Sequence, residues 1–231
     1  MRYRAMGRLY IPDDRDQNYP LRSTMREVSE ERRNEWWDDG WWGDQGYDPH
    51  CVAYAWAHYL ADGPRLVSIF EHRRPGVDTT DLYCEAQKID PWDGDCSRPL
   101  YDGTSVRAGA EVLRRWGLVK EYRWAYNAWE VAQAVLQHGP VVMGTYWYQG
   151  MSWPNSEGRM TLTGAVEGGH AYVINGVDLD RERFRVKNSW GRGWANGGRA
   201  WLGYNDLNTL MRSWGEACVA IQPAVRERGI T

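Results

Sequence analysis

The chain has 231 residues, enough for one sizeable domain or for two lobes around a shared cleft. Its 28 Lys and Arg against 31 Asp and Glu leave a formal charge of −3, which excludes a general nucleic-acid binder, because neutralising phosphates needs a basic excess or stripe. Fifteen Trp and fourteen Tyr against two Phe supply amphipathic aromatic area that offsets a mean hydropathy of −0.70 and excludes disorder over most of the length. No run approaches the roughly 18 apolar residues of a membrane span, so no membrane partner is expected. Met1-Arg2-Tyr3-Arg4 begins no signal peptide, which gives a cytoplasmic location, or delivery without a signal peptide, as the expectation.

Residues 1–40 read as an N-terminal arm, polar and charged, with a short helix near the acidic-basic mixture Arg26 to Arg33. The aromatic, turn-forming run Trp36-Trp37-Asp38-Asp39-Gly40-Trp41-Trp42-Gly43 suits either a groove lining or a cap on the core, the cap being the commoner outcome. Cys51 to Ala61 lacks Gly and Pro and is rich in Ala, predicting a largely buried helix stopped by Gly63-Pro64. A second helix is expected from Ser105 to Trp116 with Gly117 at its C′ position. A third starts at Asn127, whose side chain caps while Glu130 reaches back, and stops at Gly139-Pro140. The pattern then becomes strand-like at Val141 to Tyr148, Ala171 to Ile174, Arg183 to Lys187, Arg199 to Tyr204 and Ala217 to Ile221. Helices first and strands later predict an α+β fold, with a helical lobe over about 41–125, a β-rich lobe over about 126–231 and a cleft between them.

Four cysteines occur, Cys51, Cys84, Cys96 and Cys218, with no CxxC spacing and no Cys/His cluster suited to zinc. They are too few for a disulfide framework and read as reduced, mostly buried thiols; a turn at Asp90 to Gly94 leaves a Cys84–Cys96 pairing open. Cys51 stands apart because it opens a helix, where unpaired backbone N–H groups and the helix dipole favour a thiolate. Gln45, six positions earlier, suits a second oxyanion donor beside the Cys51 backbone N–H. His170, after two glycines and at the entrance to a strand, suits a base presented across a cleft. Of the other histidines, His58 and His138 read as packing or surface residues on helices, His72 carries no motif, and His50 points away from its neighbour Cys51. In Lys187-Asn188-Ser189-Trp190-Gly191, the Asn carbonyl can orient an imidazole while Trp190 keeps water from that bond.

Gln45, Cys51, His170 and Asn188, in that order, resemble the catalytic set of the papain-like cysteine peptidases. The Gln-to-Cys spacing, Gly169-His170-Ala171 and the unaltered Asn-Ser-Trp-Gly motif carry the resemblance over roughly residues 40–221. It implies a two-lobed fold with a helical left lobe and an antiparallel, barrel-like right lobe. It also implies a polypeptide substrate, with Gln45 serving the oxyanion hole, Cys51 as nucleophile, His170 as base and acid, Asn188 as orienter and Trp190 as shield. No metal or organic cofactor is implied. Departures lie at Asp48, where the family has a disulfide-bonded cysteine, at Pro49-His50 in place of Gly-Ser, and at Val52 in place of Trp. They fit a reducing compartment, and the ~50 residues before Cys51 are fewer than the family's usual leader and inhibitory prosegment. Two other readings stay open. A cell-wall amidase or endopeptidase of the CHAP or NlpC/P60 kind also uses Cys at a helix start and His on a strand, but lacks the Asn-Ser-Trp-Gly motif. A catalytically silent binding module of the same fold would be expected to have lost Cys or His.

Overall fold

The structure is a computed structural model describing residues 6–25, 33–37, 40–64, 66–70, 76–96 and 101–221. Most of the helix expected near Arg26 to Arg33 lies outside these residues, as does His72. The described part of the arm begins with an extended stretch from Met6, followed by 3₁₀ turns at Asp14–Asn18 and Leu21–Thr24 and by β1 (Asn34–Trp36). Leu21 is fully buried, Pro20 bridges Trp124, and Arg22 pairs with Glu130, so the arm is anchored downstream of residue 19.

α1 (Cys51–Asp62) is buried at every position but Tyr54. No side chain caps its N-terminus, and Gly63 ends it at φ 115°, a conformation that a Cβ would strain. Trp56 is wholly buried with its indole N–H on the Val106 carbonyl, and the Tyr59 hydroxyl donates to the Ala220 carbonyl, so each large ring carries its polar atom to a partner. After the short pair β2 (Ile69–Phe70) and β3 (Val77–Asp78) comes α2 (Thr79–Gln87), capped by Asp78, which takes the amides of Thr80 and Asp81. A disulfide joins Cys84 of α2 to Cys96, correcting the expectation of four reduced thiols, while Cys51 and Cys218 are free. α3 (Val106–Arg115) has the Ser105 side chain on the Ala108 amide and Gly117 at φ 72° past its end, within one residue of the expected span.

β4 (Glu121–Ala125) leads to α4 (Ala128–Gln137), where Asn127 caps the Glu130 amide as expected, while the Glu130 carboxylate reaches back to the Asn127 side-chain amide and the Tyr126 N–H. β5 (Val141–Tyr148), α5 (Gln149–Ser152), β6 (Val166–Asp178), β7 (Arg183–Lys187), β8 (Arg199–Gly203), α6 (Tyr204–Arg212) and β9 (Glu216–Ile221) complete the chain. The described residues form an antiparallel sheet in the order β4-β9-β5-β6-β7-β8, with β1 added to the far end of β6. Alternation of side chains divides it between two cores. Val142, Ala171, Val173 and Cys218 face α1 and its helices, whereas Met143, Tyr172, Ile174 and Ala217 face α4. The fold is thus two-lobed α+β, with β5 and β6 at the seam. Among the described residues no helix is long and apolar enough to cross a membrane.

The aromatic run caps the core. Trp37 donates to the Val135 carbonyl, Trp41 packs with His58 and Tyr54, and Trp42 lies beneath the cations of Lys187, Arg192 and Arg199. Lys187 and Asp62, both without exposed side-chain area, pair at 2.5 Å, and Asn175 and the Gly40 amide hold the carboxylate as well. This buried pair ties β7 to the end of α1.

Candidate active site

β6 runs through the seam and carries His170 in its interior, opposite Thr145 of β5, rather than at its entrance. Asn188 follows β7 directly. Its Oδ1 accepts the Ser189 amide at 2.8 Å, which fixes which end of the Asn188 side chain is oxygen. The same oxygen lies 2.8 Å from His170 Nε2, so Nε2 carries the proton and donates it. Nδ1 is left with its lone pair, buried and without a hydrogen-bond partner among the described residues. Trp190 sits 5.1 Å from the imidazole, centroid to centroid, and Trp147, which the sequence did not single out, meets it edge-on at 4.7 Å. Both indoles are buried, so the His170–Asn188 bond is dry.

Gln45 is buried before α1 and is strapped to the Asn188 loop. Its amide N–H donates to the Ser189 carbonyl, its Oε1 accepts the Ser189 hydroxyl at 2.5 Å, and its Nε2 donates to the Asp48 carbonyl. Asp44 bridges Trp190 in the same way. The loop before α1 and the loop after β7 are therefore tied together, although they lie more than 140 residues apart in sequence. His50 stacks on Tyr83, 3.9 Å between ring centroids, and takes no part in this cluster; His58 accepts the Gly43 amide inside the helical lobe.

Cys51 is wholly buried. Burial pushes its thiol up to about 11, outweighing the backbone N–H groups of Ala171, Gly7 and Val52 that favour the thiolate. Burial likewise pulls His170 down to about 4 against the Asn188 bond, which favours the charged ring. In this conformation the pair is a neutral thiol and a neutral imidazole, not the ionised thiolate expected of a helix N-terminus. The arm lies against this site. The Gly7 amide donates to Cys51 Sγ at 3.3 Å, the Arg8 amide to the Gly169 carbonyl at 3.0 Å and the Leu9 amide to the Thr104 carbonyl at 2.9 Å, while Thr104 returns its N–H to the Gly7 carbonyl. Residues 6–9 thus cross the seam and bond to both lobes. The fit is tight: a Cβ on Gly7 would lie 1.9 Å from the Pro49 carbonyl oxygen, so only glycine passes there. Nothing in the sequence marks this crossing, because its bonds run through the backbone.

Residues 96–196 match a family model described as papain-like cysteine protease AvrRpt2; the matched segment holds His170 and Asn188 and begins after Gln45 and Cys51. Over this segment, less than half of the chain, the sequence is similar to the papain-like cysteine proteases. The chain's fold is similar to the crystal structure of xylellain, a cysteine protease from Xylella fastidiosa, at 19% identity and a TM-score of 0.68, covering 96% of this chain and 98% of that one. It is also similar to digestive procathepsin L 3 of the Tenebrio molitor larval midgut, at 16% identity and TM-score 0.62, covering 93% and 75%. A third likeness is to the ragweed pollen cysteine protease Amb a 11 in its proform, at 17% identity and TM-score 0.62, covering 85% and 68%. No curated protein matches the sequence.

Proposed function

We propose that this protein is a papain-like cysteine peptidase that hydrolyses peptide bonds with Cys51 as nucleophile, His170 as base and acid, Asn188 as the positioning residue and Gln45 in the oxyanion hole. One observation carries the reading: Asn188 Oδ1, its orientation set by the Ser189 amide, receives the proton of His170 Nε2 and leaves Nδ1 bare. A bare Nδ1 is what a thiol needs to lose its proton. With the arm out of the cleft, water and substrate return, the desolvation that holds both groups neutral is relieved, and the Cys51 proton passes to Nδ1. Sγ attacks the scissile carbonyl carbon and the carbonyl oxygen takes the negative charge. The Cys51 backbone N–H and the Gln45 amide stabilise that charge. Collapse breaks the C–N bond as Nδ1 gives its proton to the departing amine, leaving a thioester on Cys51. Water, deprotonated by the same nitrogen, hydrolyses the thioester and frees the thiol. Trp190 and Trp147 keep the ring oriented and its second hydrogen bond dry.

The test is graded loss on a mixed peptide library with Cys51 kept reduced. Cys51→Ala is expected to abolish turnover and keep the fold. Gln45→Ala is expected to cost about 10²–10³ in kcat while keeping fast Cys51 alkylation, since that reaction develops no oxyanion. Asn188→Ala is expected to reduce turnover less than Cys51→Ala, because nucleophile and base remain and only the ring is freed. Equal cleavage by wild type and Cys51→Ala would overturn the mechanism.

A further inference from the structure

Asn188 holds the His170 ring at Nε2, and a ring held at Cβ and Nε2 can still turn about the line joining them. Trp147 blocks that turn. Its indole meets the imidazole edge-on at 4.7 Å, packs against Trp190 at 5.2 Å and is wholly buried. Trp147 is in turn fixed by a chain of hydrogen bonds leading away from the site. Its Nε1–H donates to Ser152 Oγ at 2.9 Å, and that hydroxyl donates to Glu167 Oε2 at 2.7 Å. Ser152, the last residue of α5, also takes the Trp194 Nε1–H on its carbonyl at 3.1 Å, so it holds both Trp147 and the ring that packs on Trp147 at 6.2 Å. Glu167 reaches Ser152 through a break in the strand register. Trp147 pairs with Gly168 and Tyr148 with Val166, which leaves Glu167 as the extra residue of a bulge, and a bulge re-aims the side chain it carries.

The polarity of this chain is set at both ends. An indole N–H only donates and a carboxylate only accepts, so the single Ser152 proton points to Glu167 and leaves a lone pair for Trp147. Without the carboxylate that proton is free to swing towards the indole, where it meets another donor. We propose that Glu167 and Ser152 are positioning residues for His170, acting through the Trp147 indole to hold the imidazole at the angle at which Asn188 takes the Nε2 proton and Nδ1 is left for the Cys51 proton. The proposal rests on the peptidase reading of Cys51 and His170, and it adds two residues that act at one remove from both.

The test reads the ring and the turnover separately, in the full-length chain. In the Cys51→Ala background, proton NMR follows exchange of the His170 Nε2–H with water, which is slow while the bond to Asn188 is dry. Ser152→Ala and Glu167→Ala are each expected to speed that exchange at least about tenfold. Glu167→Gln, whose amide oxygen still accepts the Ser152 proton, is expected to rescue it to within about twofold of the parent. With Cys51 restored, kcat on a peptide that the protein cleaves is expected to fall about tenfold in the two alanine variants at unchanged KM, and to recover in Glu167→Gln. The Ser152→Ala/Glu167→Ala protein is expected to lie within about twofold of Ser152→Ala, as links of one chain should. Trp147→Phe, which keeps a ring against His170 and loses the N–H, repeats both measurements if circular dichroism shows either alanine variant to be unfolded. Ring exchange and kcat within about twofold of the parent in both alanine variants overturn the proposal and leave the peptidase reading standing. Faster ring exchange that Glu167→Gln rescues, with no peptide cleaved by any of these proteins, supports the positioning role and overturns the peptidase reading.

Discussion

At the scale of single residues, one peptide N–H of the arm, that of Gly7, donates to the wholly buried Cys51 sulfur. Burial, more than any single bond, sets the protonation of the pair, and it acts in opposite directions on its members: thiol up to about 11, imidazole down to about 4. Moving the proton from Sγ to Nδ1 changes no net proton count, so the switch to the ion pair depends on uncovering rather than on pH. Alkylation separates the two states. Because the covered thiol is wholly buried and protonated, wild-type Cys51 should alkylate slowly at pH 6. Gly7→Ala forces the arm off the Pro49 carbonyl, and its Cys51 should react quickly at pH 6. Mass-mapped iodoacetamide rates measure this; matching rates for the two proteins would show that the arm does not control the thiol. Gln45, Cys51, His170, Asn188 and Trp190 are marked in the sequence by residue type and spacing, and the structure joins His170 to Asn188 and Trp190 and straps Gln45 to their loop. Ser152 and Glu167 are not, since a single serine and a single glutamate 15 positions apart carry no motif.

At the scale of elements, the caps and breakers read from the sequence located α1, α3 and α4, and apolar patterning located β5 and β7. The losses have physical causes. β6 starts five residues before the expected Ala171, because Gly168 and Gly169 resemble a turn until pairing with Trp147 and Tyr146 makes them strand. β4 pairs with β9 across nearly a hundred residues, a contact that no local window contains. α2 opens on two threonines of modest helix propensity and relies on the Asp78 cap, while α6 follows β8 directly, with Gly203 both the last residue of the strand and the N-cap of the helix. Two stability predictions belong here. Asn127→Ala removes the acceptor for the Glu130 amide and should cost about 1 kcal/mol in urea unfolding. Lys187→Met strands Asp62 between α1 and β7 and should cost far more, about 3–5 kcal/mol, although Asn175 and the Gly40 amide still hold the carboxylate. A loss below about 1 kcal/mol would mean that Asp62 takes up a proton and the pair is dispensable.

At the scale of the whole molecule, the arm, the seam and the two cores form one device. The arm is fixed to β4 and α4 by Pro20, Leu21 and Arg22, and only its leading residues cross the cleft, so displacing them need not unfold either lobe. The four-residue crossing is held by backbone bonds to both lobes, one of them to the thiol itself. The Cys84–Cys96 disulfide also removes the cysteine argument for a reducing compartment, since such bonds persist where conditions oxidise. The measurement that tests the central claim most directly is peptide turnover by Gly7→Ala, with and without Cys51→Ala in the same chain. The uncovered protein should cleave a peptide library faster than wild type, and adding Cys51→Ala should bring cleavage to the buffer rate. Undiminished cleavage by the doubly substituted protein would contradict the account.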